Sequence, residues 1–96
     1  MKGALHIMKI QKSATAGTME SSDVYVEIEP GSNGIQLQLE SVVGQQFGEA
    51  ICQVVQQVLQ ENHVQNAKVR VVDRGALECV IRARVETAIA RGKEND

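Results

Sequence analysis

Aromatic side chains are almost absent from this sequence of 96 residues, since Tyr25 and Phe47 are the only two. Modules that hold single-stranded nucleic acid stack its bases on aromatic rings. The formal net charge of -2 also supplies no positive surface for a phosphate backbone. The composition therefore excludes the common nucleic-acid-binding classes, and we expect no nucleic-acid partner.

Cysteines and long apolar runs are equally scarce. Cys52 and Cys79 lie far apart, without the CxxC spacing of a redox or metal motif. We expect free thiols, which are typical of the reducing cytoplasm. No apolar run approaches the roughly 20 residues of a membrane-spanning helix, and the first seven residues lack the apolar core of a secretory leader. The sequence therefore predicts a cytoplasmic protein without a membrane partner.

No catalytic constellation can be assembled from these residues. Hydrolysis by a serine needs a base, a group that orients the base and an oxyanion hole. His63 is the only candidate base once the N-terminal His6 is set aside, and it falls in a predicted loop. The G-x-S-x-G elbow and the Walker lysine are both missing. We expect that the chain is not an enzyme by itself, and we predict no metal site.

The length suits one small domain. Residues 1–7 precede a second methionine, Met8, and we expect them to be a cloning extension or an alternative start. Residues 8–92 form the predicted single domain, and residues 93–96 form a polar tail.

Strand patterns dominate the first half of the chain. Ser13–Met19 is consistent with either a short strand or an extended arm, and residues 24–29 and 35–40 both alternate between apolar and polar side chains. The intervening Pro30–Gly34 is dense in turn residues, so these two strands are expected to form a β-hairpin. Ala67–Asp73 predicts a later strand, with Lys68 and Arg70 opposite Glu27 or Glu29.

Two helices complete the predicted fold. Ser41 is expected to cap the first, whose apolar positions include Val43 and Phe47. Asp73 is expected to cap the second, which has Leu77 on its apolar face. We therefore predict an α+β two-layer sandwich, with a mostly antiparallel sheet and both amphipathic helices on one face. The other face carries polar side chains and is expected to stay wet.

The segment Ala16–Asp23, with sequence AGTMESSD, stands out because two hydroxyls lie between acids. Local chemistry alone makes Ser21 and Ser22 ordinary turn residues, since Ser and Asp bond their own backbone in turns. Three blocks nevertheless resemble the citrate lyase acyl carrier protein family. The first matches its A-G-T-x-E-S-G-D motif, and QFGEAI at 46–51 is similar to Q-F-G-D-A-I. DRGALEC at 73–79, followed by IRAR at 81–84, is similar to D-K-G-A-L-D-C and L-R-A-R.

This resemblance implies a covalent carrier. In the family, a phosphodiester joins a serine to phosphoribosyl-dephospho-coenzyme A, whose thiol bears acetyl and citryl thioesters while citrate is cleaved to acetate and oxaloacetate. The implied partners are the transferase (alpha) and lyase (beta) subunits and an attachment enzyme, in a bacterium that ferments citrate. Magnesium belongs to the lyase partner. Recombinant protein made without the attachment enzymes is expected to lack the group.

Carried over by position, Ser21 is the attachment residue and Ser22, where the family usually has glycine, is the alternative. Gly17 would let a partner's backbone approach closely, and Glu20 and Asp23 would keep the turn solvated. Two alternatives stay open. The chain could be the related carrier of malonate decarboxylase, or it could be a plain protein-interaction domain that carries no adduct.

Overall fold

The computed structural model describes residues 7–42 and 48–93. Six elements follow in chain order: β1 (Ala14–Gly17), β2 (Val24–Pro30), β3 (Ile35–Ser41), α1 (Gly48–Glu61), β4 (Ala67–Asp73) and α2 (Glu78–Gly92). The predicted early part of the first helix, with Val43 and Phe47, lies outside the described residues, as do residues 1–6 and the last three residues of the predicted tail. Neither α1 nor α2 is long and apolar enough to cross a membrane, and they are the helices of the described ranges.

The four strands form one sheet in the order β1-β2-β4-β3. β1 pairs with β2 and β2 with β4 in antiparallel fashion, whereas β3 runs parallel to β4. Two of the three pairings are therefore antiparallel. The predicted α+β fold with a mostly antiparallel sheet is confirmed, and the parallel pairing makes the sheet mixed.

The predicted hairpin between β2 and β3 is wrong, because β4 lies between these strands. The connecting loop crosses the start of β4 instead of closing a tight turn. Gly34 donates its N–H to Asn66 Oδ1 at 2.8 Å and accepts the N–H of Ala67 at 3.1 Å. Gly31 passes so close to Ala67 that a Cβ on Gly31 would lie 3.1 Å from its backbone. Alternation along a strand reports which face is buried, but it does not report which strand is the neighbour.

The core lies between the sheet and the two helices. Alternate residues of β2 and β4 point into it, and so do the apolar sides of both helices. The fully buried large apolar side chains are Val24, Val26, Ile28, Val55, Val58, Leu59, Val71, Val85 and Ile89. Ile35, Leu37 and Leu39 of β3 are only partly buried, because β3 is an edge strand. The two helices are also joined at their surfaces, where Arg82 on α2 lies 2.6 Å from Glu61 on α1.

The opposite sheet face is polar, as predicted. Arg70 stands directly across from Glu27, and their charged groups lie 3.5 Å apart. The register also places Lys68 opposite Glu29. Arg70 reaches Glu40 on the other neighbouring strand at 3.1 Å. Tyr25 donates its hydroxyl to Glu27 at 2.9 Å, and this bond to a carboxylate is the main cause that raises the pKa of Tyr25.

The predicted cap of the second helix is wrong, whereas the helical turn that Ser41 was predicted to cap lies outside the described residues. Ser41 is the last residue of β3, and its hydroxyl donates to Asp73 Oδ2 at 3.0 Å. α2 begins at Glu78 after Leu77, with no side-chain cap. Asp73 instead accepts the N–H of Ala76 on Oδ1 at 3.0 Å, which holds the loop before the helix. Leu77 is not on the buried face, since 71% of it is exposed.

Asp73 is 1% exposed and bonds two separate segments, so its removal should be costly. We expect Asp73→Ala to lower the free energy of unfolding by about 2–3 kcal/mol, because it leaves the partly buried N–H of Ala76 without its acceptor and removes the bond to the Ser41 hydroxyl. Glu40→Ala, which removes an exposed carboxylate paired with Arg70, should cost at most about 0.5 kcal/mol. Urea unfolding followed by circular dichroism measures both. Equal losses would contradict the structural role assigned to Asp73.

Candidate functional site

The loop between β1 and β2 carries the residues that the sequence singles out. It lies at one end of the sheet, where β1, β3 and β4 finish and β2 begins, because Val24 pairs with Asp73 and Ser41 pairs with Asp73. Glu20, Ser21 and Ser22 are exposed, whereas Asp23 is partly buried. The loop therefore presents two hydroxyls to solvent beside a carboxylate that faces inward.

Asp23 fastens both ends of this loop. Its Oδ2 accepts the N–H and the hydroxyl of Thr18 at 3.1 and 2.7 Å, and its Oδ1 accepts the N–H of Val24 at 2.7 Å. The Thr18 hydroxyl in turn accepts the N–H of Glu20 at 3.1 Å. The side chain of Asp23 is only 14% exposed, so the predicted role of keeping the turn solvated is wrong for this residue. It holds the loop in one shape.

Arg84 ties the same carboxylate to α2. Its Nε lies 3.1 Å from Asp23 Oδ1 and its Nη2 lies 3.0 Å from Oδ2, which is the two-pronged geometry that a guanidinium makes with a carboxylate. These contacts hold the pKa of Asp23 at about 2, below its usual 3.8. The hydrogen bond from Thr18 contributes most, followed by the bond from Arg84 and the N–H of Val24. Asp23 is therefore ionised at any physiological pH.

Ser21 and Ser22 occupy different positions in the turn Glu20–Asp23, which the N–H of Asp23 closes on Glu20 O at 3.1 Å. Ser22 has a φ of 66°, in the left-handed region that glycine adopts most easily. This is the third position of the turn, where a type II turn requires positive φ. This geometry gives a physical reason for the glycine that the related motif has at this position. The backbone conformation of residue 22 favours glycine, and Ser22 adopts it as a non-glycine residue.

The Ser21 hydroxyl is exposed and makes no hydrogen bond with any residue of the described ranges. His63 was the candidate base considered from the sequence. It precedes β4 and so lies at the other end of the sheet from Ser21. No group of three or more His, Cys, Asp or Glu residues that could hold a metal ion occurs within residues 7–42 and 48–93. The loop therefore presents the Ser21 hydroxyl to solvent without a hydrogen-bond partner among the described residues.

Gly17 lies against backbone of its own chain, whereas the sequence predicted that a partner's backbone would approach it. Its φ is 88°, and a Cβ there would overlap the carbonyl oxygen of Val24 and lie 3.3 Å from Arg84 Cδ. The backbone that comes close to Gly17 is thus the neighbouring strand of the same chain. Gly17 therefore serves the fold of the loop, and the approach of a partner's backbone stays a prediction.

Sequence reasoning missed three residues that shape this site: Thr18, Arg74 and Arg84. Thr18 and Arg84 bond Asp23, whereas Arg74 contacts the turn through its backbone, with Ser22 N–H on Arg74 O at 2.8 Å. Arg74 and Arg84 fall in the third sequence block, far along the chain from the loop. The sequence showed only that the third block occurs in the same chain as the first. It did not show that residues of the two blocks contact each other.

Comparison with known proteins identifies the class. The family model described as the malonate decarboxylase delta subunit, an acyl carrier family, matches residues 11–92. A Pseudomonas malonate decarboxylase hetero-tetramer, solved in complex with malonate, contains a chain of the same fold, with a TM-score of 0.67, 24% identity and 88% of each chain covered. The protein therefore belongs to the acyl carrier family that this model defines.

Individual relatives show which branch of this family the chain is similar to. The chain is 57% identical over 88 residues to citrate lyase acyl carrier protein 2 of Salmonella typhi, covering 91% of each protein. It is 51% identical to the citrate lyase acyl carrier protein of Lactiplantibacillus plantarum, again over 91% of each. Within the family, the chain thus groups with citrate lyase acyl carrier proteins.

Asp23 should make stability depend on pH in acid. Because its folded pKa of about 2 lies below the unfolded value of 3.8, its contribution is complete above about pH 4 and is lost as the pH falls towards 2. We expect Asp23→Asn to lower the free energy of unfolding by about 1–2 kcal/mol at pH 7. The gap between variant and parent should narrow between pH 4 and pH 2.

Chemical unfolding at a series of pH values measures this gap. Glu20→Gln is the matched control, because Glu20 is an exposed carboxylate of the same loop, and its effect should stay within about 0.5 kcal/mol. A gap for Asp23→Asn that does not change with pH would contradict the role of the ionised carboxylate.

Proposed function

We propose that this chain is the acyl carrier subunit of citrate lyase and that Ser21 bears its prosthetic group. The observation that carries the proposal is the unbonded, exposed hydroxyl of Ser21 on a loop fixed by Asp23. The loop belongs to a chain that is 57% identical to a citrate lyase acyl carrier protein. The proposed group is phosphoribosyl-dephospho-coenzyme A, joined to Ser21 by a phosphodiester.

The residues present fit such a group. Attachment at Ser21 would break no hydrogen bond of the described chain, and the neighbouring backbone is already held by Asp23 and Arg74. When bound, the group supplies a thiol that carries the acyl unit. In this proposal Gly17 and Asp23 fix the loop, and Glu20 is its exposed acidic flank. The chain itself performs no bond cleavage and needs no metal.

Carrier chemistry also requires partners, and the exposed apolar side chains favour one end of the molecule for docking. Four large hydrophobic residues of the described ranges are strongly exposed: Ile7, Met19, Val42 and Leu77. Met19 lies in the Ser21 loop. Val42 bonds its N–H to Asp73 O, and Leu77 follows the Asp73 loop, so both lie at the Ser21 end of the sheet. We propose that the transferase and lyase subunits and the attachment enzyme bind this end, in the cytoplasm of a citrate-fermenting bacterium.

The carrier of malonate decarboxylase is the second candidate, favoured by the description of the matching family model. Identity of 57% to a citrate lyase carrier, compared with 24% to the malonate decarboxylase chain, supports citrate lyase. Exchange of acyl groups with purified subunits of each complex separates the two. A plain interaction domain is the remaining alternative, and it predicts that no adduct forms on the chain.

Intact mass and peptide mapping of protein from cells fermenting citrate test the proposal. We expect one phosphoribosyl-dephospho-coenzyme A on the peptide that contains Ser21. Ser21→Ala should abolish loading, whereas Ser22→Gly should load normally. Ser22→Gly should also raise the free energy of unfolding by about 0.5–1 kcal/mol, because glycine relieves the positive φ. An adduct on Ser21→Ala, or no adduct on the parent chain, would overturn the assignment.

Docking at the Ser21 end predicts that Leu77 contributes to partner affinity. Leu77 is 71% exposed and is the N-cap residue of α2, a position that favours serine, so Leu77→Ser should raise the free energy of unfolding by about 0.5–1 kcal/mol. It should weaken binding to the partner subunits by roughly 10- to 100-fold, the loss expected when a leucine is no longer buried in an interface.

The matched control is Ile7→Ser. Ile7 is also exposed, but it neighbours Gly31 and Asn66 at the other end of the sheet, about 20 Å away along β4. Titration calorimetry with each partner measures both variants. If Ile7→Ser weakened binding as much as Leu77→Ser, the partners would not dock specifically at the Ser21 end.

A further inference from the structure

Arg74 differs from every other arginine of the chain. The other four are engaged: Arg70 with Glu27 and Glu40, Arg82 with Glu61, Arg84 with Asp23, and Arg91 with the carbonyl oxygen of Thr15. The guanidinium of Arg74 makes no hydrogen bond or ion pair with any residue in the part of the chain that the structure describes. It is exposed, so all five of its donors are available to a ligand.

The backbone of Arg74 is fixed beside the Ser21 turn. It accepts the N–H of Ser22 at 2.8 Å and donates its own N–H to Asp23 O at 2.9 Å. Ser21 directly precedes Ser22 in this turn. The extended side chain of an arginine is longer than the spacing between neighbouring strands, about 4.8 Å, so its guanidinium can reach a group attached to the Ser21 oxygen.

The root of this side chain is also held rigidly. Asp73, which precedes it, is buried and bonds Ser41 on one side and the N–H of Ala76 on the other. Gly75, which follows it, has a φ of 93° that turns the chain sharply. A side chain whose backbone is fixed in advance loses less conformational entropy when it binds.

A phosphate on Ser21 would need a cation. Its charge would adjoin Glu20 on the same turn, and like charges at close range are unfavourable. Arg84 is nearby, but its Nε and Nη2 donate to Asp23, whose carboxylate offsets its charge. Arg74 is the arginine next to the turn whose charge has no anionic partner among the described residues, and a guanidinium matches a phosphate in geometry as well as in charge.

We propose that Arg74 binds the phosphate esterified to Ser21 and thereby positions the first link of the attached group against the β4–α2 loop. The identity of the natural group rests on the proposed function. The contact between Arg74 and a phosphate on Ser21 does not, because it follows from the geometry of this chain. It can therefore be tested with a simpler phosphate.

The test uses the full chain with phosphoserine genetically encoded at position 21, and follows the phosphate by ³¹P NMR as the pH is raised. A nearby cation favours the doubly charged phosphate and lowers its second pKa, which is about 6 in an unperturbed phosphoserine. We expect Arg74→Gln to raise that pKa by about half a unit or more. Arg74→Lys should retain most of the effect, because it keeps the charge.

Arg82→Gln is the matched control, since it removes the same charge from an arginine that is paired with Glu61 on α1. It should leave the phosphate pKa unchanged. As a second readout, phosphorylation should slow solvent exchange of the Arg74 Nε proton, which a general field effect would not do. An unchanged pKa in Arg74→Gln, or an equal rise in Arg82→Gln, would overturn the proposal.

This experiment fails independently of the proposed function. An adduct on Ser21 in native cells, together with no effect of Arg74→Gln, would leave the carrier assignment intact and remove only the role of Arg74. The reverse result, a phosphate held by Arg74 without any native adduct, would keep the anion site and remove the carrier assignment.

Discussion

The carboxylate of Asp23 is the point on which the whole site depends. It receives hydrogen bonds from Thr18 at the start of the loop, from Val24 at the start of β2 and from Arg84 on α2. Three separate parts of the chain are therefore fixed by two oxygen atoms. An isolated loop of six residues would lose considerable conformational entropy in adopting one shape, and this network offsets that loss while leaving the Ser21 hydroxyl exposed.

β4 is the strand on which the arrangement of the sheet depends, because it pairs with both β2 and β3. It is the last strand to be synthesised, yet it inserts between β2 and β3 and brings the ends of all strands at one side into register around Asp73. The backbone of the next residue, Arg74, then bonds the Ser21 turn. The central strand thus connects the core to the site directly, without an intervening flexible segment.

These contacts also explain what the sequence could and could not predict. Period-two alternation identified β2 and β3 and the buried face of each, because it reports burial. It could not identify β4 as the strand between them, since partner choice depends on contacts about 40 residues apart. Asp73 has the chemistry of a helix cap, but it bonds the Ser41 hydroxyl and the N–H of Ala76, and α2 begins only after Leu77. Leu77 fits a helical apolar pattern, yet it lies before the first turn of α2 and stays exposed.

The candidate site also has features that the sequence could predict and features that it could not. Sequence similarity located the Ala16–Asp23 segment and ranked Ser21 ahead of Ser22, and the positive φ of Ser22 supplies the physical reason for a glycine at that position in related chains. The functions of Gly17, Asp23, Arg74 and Arg84 could not be derived in this way, because each depends on a neighbour that is distant in sequence or on backbone geometry.

A carrier of the proposed kind has to satisfy two opposing demands. Its attached arm must move between partner sites, and the advantage of a tether depends on the arm being able to span them. The protein beneath the arm must nevertheless present one attachment point in a defined orientation, because docking fixes only the body of the carrier. A rigid loop beneath a flexible arm meets both demands. In this chain Thr18, Asp23 and Arg84 are engaged in holding the loop, and in the proposed function the reactive chemistry would reside in the attached group and the partners.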